Sequence, residues 1–157
     1  MSKKTVIVYQ SKKTGNTKQL VDKAIERNPD IQAFHISEAP QNLEAIAQAD
    51  LVVLASGIYF GYPDRKITKF ALSNIKPGQE VFVMLTHGSD SDHYRLKYKA
   101  RLNAAGVNLV GIDSCQGRYD FGLFKLLGGM HNETPASEGI DRVVSKLEEA
   151  QVIDLGL

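Results

Sequence analysis

Apolar and polar residues follow two different periods along this chain, and the two patterns alternate from one end to the other. Short runs rich in Val, Ile and Leu predict β-strands, and segments with apolar residues every three or four positions predict helices. The predicted strands cover residues 5–9, 31–36, 51–55, 80–86 and 107–115. The predicted helices cover residues 17–27, a brief helix that opens at Ala39 and Pro40, and residues 64–74, 94–105 and 136–150.

Strand and helix therefore alternate through five repeats, which is typical of an open, doubly wound α/β fold with a parallel sheet and helices on both faces. Residues 51–55, LVVLA, contain no polar side chain, as a strand buried on both faces requires. The connections between parallel strands are expected to be right-handed. With 157 residues, 43% of them hydrophobic, and no repeat or shift in composition, residues 1–157 are expected to form a single domain.

The charged residues are well mixed along the chain and leave a formal net charge of +1. This balance does not favour nucleic acid as a partner. No apolar run is long enough for membrane insertion, and the first residues lead directly into a strand rather than a signal peptide. A cytoplasmic location is therefore expected, and the one cysteine, Cys115, cannot form an internal disulfide.

Residues 5–18, TVIVYQSKKTGNTK, carry the clearest chemical signal, because a strand leads through a loop of small polar residues into a helix. Backbone amides at a helix N-terminus favour an anion such as phosphate, and Gly15 supplies the tight turn. The loop lacks the second glycine that Walker A and dinucleotide motifs need. The two lysines either shield a phosphate or are simply solvated. The predicted phosphate-binding residues are Ser11, Lys12, Lys13, Thr14, Gly15, Asn16 and Thr17.

The sequence Thr14-Gly15-Asn16-Thr17, directly after the first strand, resembles the phosphate loop of flavodoxins, commonly written S/T-x-T-G-N-T. Ser11 lies one residue earlier than the first hydroxyl residue of that motif, and Lys12 takes its place. The resemblance implies a flavodoxin-like sheet with strand order 2-1-3-4-5. It also implies an FMN bound noncovalently where the carboxyl ends of the first and third strands meet.

If FMN binds there, the loops after the third and fourth strands are expected to hold its ring, and the loop after the fifth strand is expected to belong to the cofactor site. Residues 56–63 include three aromatic side chains, which stack well on a planar ring but would serve equally as core residues. Residues 86–94 are small and polar, as amides facing the pyrimidine edge require, and residues 115–117 form a C-x-G pattern that also occurs in flavodoxin-like domains. The predicted cofactor-binding residues of these three segments are Ser56, Gly57, Tyr59, Phe60, Gly61, Thr86, His87, Gly88, Cys115, Gln116 and Gly117.

Other interpretations of these loops stay open. A metal site could use His87, Asp90, Asp92 and His93, although the same run suits a helix cap, and we expect no metal. The apolar segment 121–130, FGLFKLLGGM, is either a buried turn or a lid or partner surface near the flavin. Cys115 has no resolving partner and is expected to be a buried thiol without a redox role.

By resemblance, the expected function is FMN-dependent electron transfer between a reductase and an acceptor protein. One alternative is an FMN-dependent reductase, or the flavin subunit of one, that acts on a small planar organic substrate. Another is an interaction domain that has lost the cofactor. Familiar flavodoxins are strongly acidic, whereas this chain carries +1. Fewer carboxylates around the flavin are expected to make its reduction potential less negative.

Overall fold

The computed structural model of the protein describes residues 2–11, 15–59, 62–87, 93–116 and 133–152, apart from the side chains of residue 59 and residues 133–137. The strands are β1 (Thr5–Tyr9), β2 (Gln32–His35), β3 (Leu51–Tyr59), β4 (Tyr62–Pro63), β5 (Glu80–His87) and β6 (Asn108–Gln116). The helices are α1 (Asn16–Arg27), a 3-10 helix (Ile36–Gln41), α2 (Leu43–Ala47), α3 (Arg65–Asn74), α4 (His93–Ala104) and α5 (Glu133–Gln151).

Within these residues, five parallel strands form one sheet in the order β2-β1-β3-β5-β6. The short strand β4 lies outside this order and pairs antiparallel with the end of β3. Since β5 and β6 are the fourth and fifth parallel strands along the chain, the predicted order 2-1-3-4-5 is confirmed. The bounds predicted for β1 are also those of the structure.

Two apolar layers bury the sheet, one on each face. On one face, α1 and α5 pack on the sheet through Leu20, Val21, Val143, Val144 and Leu147. On the other face, α2, α3 and α4 contribute Ile46, Ile67, Phe70, Tyr98 and Leu102. The predicted doubly wound architecture, with helices on both faces, is therefore confirmed.

The brief helix is present, but its predicted start at Ala39 and Pro40 is wrong. A 3-10 helix already begins at Ile36, and the α-helix that follows begins at Leu43. The cause is a capping box at the end of β2: the His35 ring accepts a hydrogen bond from the Ser37 amide, and the Glu38 carboxylate accepts one from the His35 amide. These bonds begin the helix one turn early and end β2 at His35.

Helix α5 begins at Glu133, three residues before the predicted start at residue 136. Pro135 lies in its first turn, where a missing amide proton removes no intrahelical hydrogen bond. No helix in the described part of the chain is both long and apolar enough to cross a bilayer.

Candidate functional site

The carboxyl ends of β3, β5 and β6 bring three of the predicted cofactor-binding residues into one row. Gly57 of β3 is in register with Thr86 of β5, and Thr86 is in register with Cys115 of β6. His87 and Gln116 form the next pair along the same edge. All three predicted cofactor-binding segments therefore begin at the same edge of the sheet, although they are far apart in sequence.

The order of the strands reverses beside β1, and this reversal opens a crevice at the same edge. From β1 the chain enters α1 on one face of the sheet, whereas from β3 it continues through β4 to α3 on the opposite face. Segments that leave neighbouring strands toward opposite faces separate at the carboxyl ends of those strands. Doubly wound sheets bind their ligands at such a reversal, which in this chain lies between the carboxyl ends of β1 and β3.

The start of α1 is shaped by Gly15 and Ser11. Gly15 is the N-cap and has a φ of 68°, a left-handed conformation that costs glycine little. Its lack of a side chain leaves the capping to Ser11, whose hydroxyl accepts a hydrogen bond from the Lys18 amide at 3.2 Å. The first turn of α1 contains no acidic residue, so no side chain of that turn offsets the positive end of the helix dipole.

Thr17 connects the start of α1 to the row of strand ends. Its side chain is only 2% exposed, and its Oγ1 lies 3.0 Å from Oγ1 of Thr86, 69 residues further along the chain. One proton is shared between the two oxygens, so the pair keeps a second hydroxyl proton for another acceptor. Two residues predicted for different parts of the cofactor, the phosphate and the ring, are therefore direct neighbours.

The segment 56–63 is not the loop expected from the sequence. Strand β3 continues four residues beyond Ala55 and pairs with β4 through Ile58 with Pro63 and Tyr59 with Tyr62. The Ser56 hydroxyl, which is 1% exposed, donates to the Gly57 carbonyl at 2.7 Å and accepts from the Asp64 amide at 2.9 Å. Ser56 thus fastens this hairpin to the start of α3, and its hydroxyl is engaged within the protein.

Gln10 is a site residue that the sequence interpretation missed. It directly follows β1, where its amide donates to the Ala55 carbonyl at 3.0 Å. Its side-chain Oε1 is buried without a hydrogen-bond partner among the described residues. A buried acceptor of this kind is costly unless a ligand or water completes it. Its position immediately after the strand, one residue before Ser11, was the available signal.

Cys115 is buried, as predicted, at 2% exposure. Burial raises the pKa of its thiol to about 11, so the thiol is protonated at neutral pH. Gly139 of α5 packs so closely here that an added Cβ would lie 2.9 Å from Cβ of Cys115. His87 is also buried, at 8% exposure, whereas Gln116 is exposed.

Several predicted residues lie outside the described part of the chain. They are Lys12, Lys13, Thr14, Phe60, Gly61, Gly88 and Gly117, together with the side chain of Tyr59. Asp90 and Asp92 of the alternative metal site, and the apolar segment 121–130, also lie outside it. Among the described residues, no group of His, Cys, Asp and Glu side chains could hold a metal ion.

Comparison with known proteins identifies the family. An uncharacterized protein of Methanocaldococcus jannaschii is 29% identical over 142 residues, which cover 88% of this chain and 92% of that protein. The solution structure of two-electron reduced Megasphaera elsdenii flavodoxin aligns with a TM-score of 0.60 and 17% identity over 90% of this chain and 98% of its own. The apo form of an NADH:FMN oxidoreductase aligns with a TM-score of 0.62 and 17% identity over 97% of this chain and 91% of its own.

At these identities the two structures establish the fold alone. The family assignment comes from the sequence: residues 6–152 match the family model described as flavodoxin domain. The matched range includes the start of α1 and the carboxyl ends of β1, β3, β5 and β6. The chain therefore belongs to the flavodoxin domain family, as the sequence T-G-N-T after its first strand predicts.

Proposed function

We propose that this protein binds FMN noncovalently in the crevice between β1 and β3 and transfers electrons between a reductase and an acceptor protein. The observation that carries the proposal is the start of α1, where Gly15, Ser11 and Thr17 combine a left-handed turn, a side-chain cap and a hydroxyl at the strand-order reversal. The family membership supports the same cofactor class.

The phosphate end of FMN matches the chemistry at this helix start. The first turn of α1 has no carboxylate to repel a dianion, and the helix dipole favours negative charge there. The hydroxyl pair of Thr17 and Thr86 has a proton to donate to a phosphate oxygen. Lys12, Lys13, Thr14 and Asn16 complete the proposed phosphate-binding set.

The remainder of FMN would lie along the row of strand ends. The unpartnered Oε1 of Gln10 is an acceptor for a hydroxyl of the ribityl chain. Gly57, Tyr59, Phe60 and the segments that follow Thr86 and Cys115 would enclose the isoalloxazine ring. The Ser56 hydrogen bonds would hold the β3–β4 hairpin beside the ring instead of contacting it.

FMN supplies the one- or two-electron chemistry when it is bound. The protein's own residues bind the phosphate, orient the ring and exclude water from it. Cys115 has no part in electron transfer in this account, because its thiol stays protonated at neutral pH.

The carrier and the reductase differ in what reduces the flavin: a partner protein in the carrier, and NADH or NADPH directly in the reductase. The sequence contains one phosphate-binding loop and no G-x-G-x-x-G fingerprint for a nicotinamide dinucleotide. Stopped-flow absorbance of the FMN-loaded protein mixed with NADH or NADPH is the test. We expect slow bleaching of the flavin band with either nucleotide alone and rapid bleaching once a flavoprotein reductase is added. Rapid, saturable bleaching by the nucleotide alone would instead establish the FMN-dependent reductase.

A further inference from the structure

The net charge of +1 conceals a strong separation of charge in the folded protein. Helices α3 and α4 together carry seven Lys and Arg residues and no Asp or Glu. Both helices lie on the same face of the sheet, and the buried hydroxyls of Thr68 and Tyr98 join them at 3.0 Å. On the opposite face, α1 and α5 together carry seven acidic residues and five basic ones, whereas the 3-10 helix and α2 add only two acidic residues to the face of α3 and α4. Charges that are mixed along the sequence are therefore not mixed in space.

The two faces also differ in how their cations are paired. Every Lys and Arg of α1 and α5 has an acidic partner within 4 Å, and these pairs are Lys18–Asp22, Lys23–Glu26, Arg27–Asp141, Arg27–Glu148, Arg142–Asp113 and Lys146–Glu149. Five exposed cations of the other face make no such pair with a described residue: Arg65, Lys66, Lys69, Lys97 and Lys99. Within the described part of the chain, no ion pair neutralises these five charges.

Two of these cations occupy an unfavourable place for folding. Arg65 and Lys66 are the first two residues of α3, and the first turn of that helix contains no acidic residue. A positive side chain at a helix N-terminus opposes the helix dipole. Asp64, the N-cap of α3, supplies the negative charge at this helix start, where its carboxylate accepts a hydrogen bond from the Lys66 amide at 2.8 Å. The two cations add nothing to that cap, and they line a groove together with Asp64.

The cations border a groove with an apolar floor. The groove has a volume of about 910 Å³, and Tyr62, Pro63 and Leu72 supply its apolar surface. Leu72 is 43% exposed. Arg101 of α4 closes one side, where its guanidinium donates to the Tyr62 hydroxyl at 2.6 Å and lies over the Tyr62 ring at 5.4 Å.

The groove begins at the hairpin that we place beside the flavin ring. Tyr62, which lines it, pairs in register with Tyr59 at the end of β3. A protein bound in the groove would therefore lie next to the edge of the proposed FMN site, where electrons have to enter or leave.

We propose that this groove, lined by α3, β4 and Arg101, docks an acidic segment of a protein redox partner. Complementary charge would orient the partner, and its apolar side chains would contact the floor. An apolar floor and an exposed leucine suit a peptide better than a phosphate backbone, whose affinity comes from cations alone. The proposal rests on the proposed electron-transfer function and adds the charge and the place of the partner.

The test is fluorescence anisotropy with a labelled synthetic 12-residue peptide of glutamate and leucine, titrated with the FMN-saturated protein and with the apoprotein. The docking variant is K66E/K69E, which changes two exposed cations of the groove. The matched control is K23E/K146E, which makes the same change in net charge on the opposite face. Visible absorbance of each variant reports flavin binding separately, so loss of the cofactor and loss of docking are distinguishable.

We expect the docking variant to bind the peptide at least about tenfold more weakly and the control to change less than about threefold, with the difference shrinking at high salt. The thermal midpoint of K66E/K69E should not fall, because the change at Lys66 places a carboxylate in the first turn of α3 and Lys69 is exposed. Equal losses in both variants would overturn the proposal. Tighter binding of a 20-base-pair DNA duplex than of the peptide, abolished by K66E/K69E, would overturn it in favour of a nucleic-acid surface.

Discussion

The hydrogen bond between Thr17 and Thr86 links cofactor binding to stability, and replacing each residue by valine separates the two. Valine keeps the shape of threonine but removes the hydroxyl. Both side chains are buried, at 2% and 6% exposure, and their oxygens are 3.0 Å apart. Losing one partner leaves the other hydroxyl buried and unsatisfied, which costs about 1–3 kcal/mol.

The double variant T17V/T86V removes both polar groups together, so its loss should be smaller than the sum of the two single losses. The interaction energy from the cycle is expected to be about 0.5–1.5 kcal/mol. The protein has no Trp, so urea unfolding of the apoprotein is best followed by far-UV circular dichroism. Strictly additive losses would mean that the bond contributes nothing to the free energy of unfolding.

The same variants report on the phosphate. T17V should weaken FMN by about 1–3 kcal/mol, the usual value of a hydrogen bond to a charged group, and leave riboflavin nearly unchanged. The matched control is T68V, because Thr68 is also buried and also bonds a hydroxyl at 3.0 Å, but on the opposite face. T68V should lower stability and leave FMN affinity intact. Equal losses of FMN and riboflavin in T17V would refute the assignment of Thr17 to the phosphate.

Three further predictions test other parts of the site. G15A and G78A both place a side chain at a positive φ, 68° and 82°, with open space around it, so each should lower the free energy of unfolding in urea by about 1–2 kcal/mol. Only G15A should weaken FMN binding. Equal FMN affinities of the two variants would contradict the role of Gly15. Replacing Gln10 by Met removes the buried acceptor, so isothermal titration calorimetry should show that FMN and riboflavin both bind more weakly, by about 0.5–1.5 kcal/mol each. A loss confined to FMN would place Gln10 at the phosphate. Burial raises the pKa of the Cys115 thiol from 9.0 to about 11, so the thiol ionises at lower pH in the unfolded chain than in the folded protein. The free energy of unfolding should therefore fall by about 2–3 kcal/mol between pH 9 and 11. An equally steep fall in C115A would contradict this.

The parts of the fold that were predictable are those governed by local sequence. Strand β1 is an unbroken β-branched run followed at once by small polar residues, and its predicted bounds match the structure. The capping box that ends β2 has His35 at the N-cap, where Ser, Thr, Asp or Asn is usual. The sequence therefore shows no recognisable helix start at Ile36, and the 3-10 helix begins one turn before the predicted start. Strand β3 runs beyond its apolar stretch because Ser56 and Gly57 pair with β5, which is a nonlocal cause.

The candidate site divides in the same way. Gly15 was predictable because its role depends on its immediate neighbours. The contact of Thr17 with Thr86 and the cationic face of α3 and α4 depend on which elements the topology places side by side. A sequence with mixed charges was therefore interpreted as a surface with mixed charges, and the fold separated them.

Titrating the apoprotein with riboflavin, FMN and FAD tests whether the start of α1 holds the phosphate of FMN. Flavin fluorescence and visible absorbance would give the three affinities under identical conditions. We expect FMN to bind more tightly than riboflavin by about 1–3 kcal/mol for each hydrogen bond to its phosphate, and more tightly than FAD, whose adenylate would have to extend past the loop. Riboflavin binding as tightly as FMN, or no flavin binding at all, would contradict it.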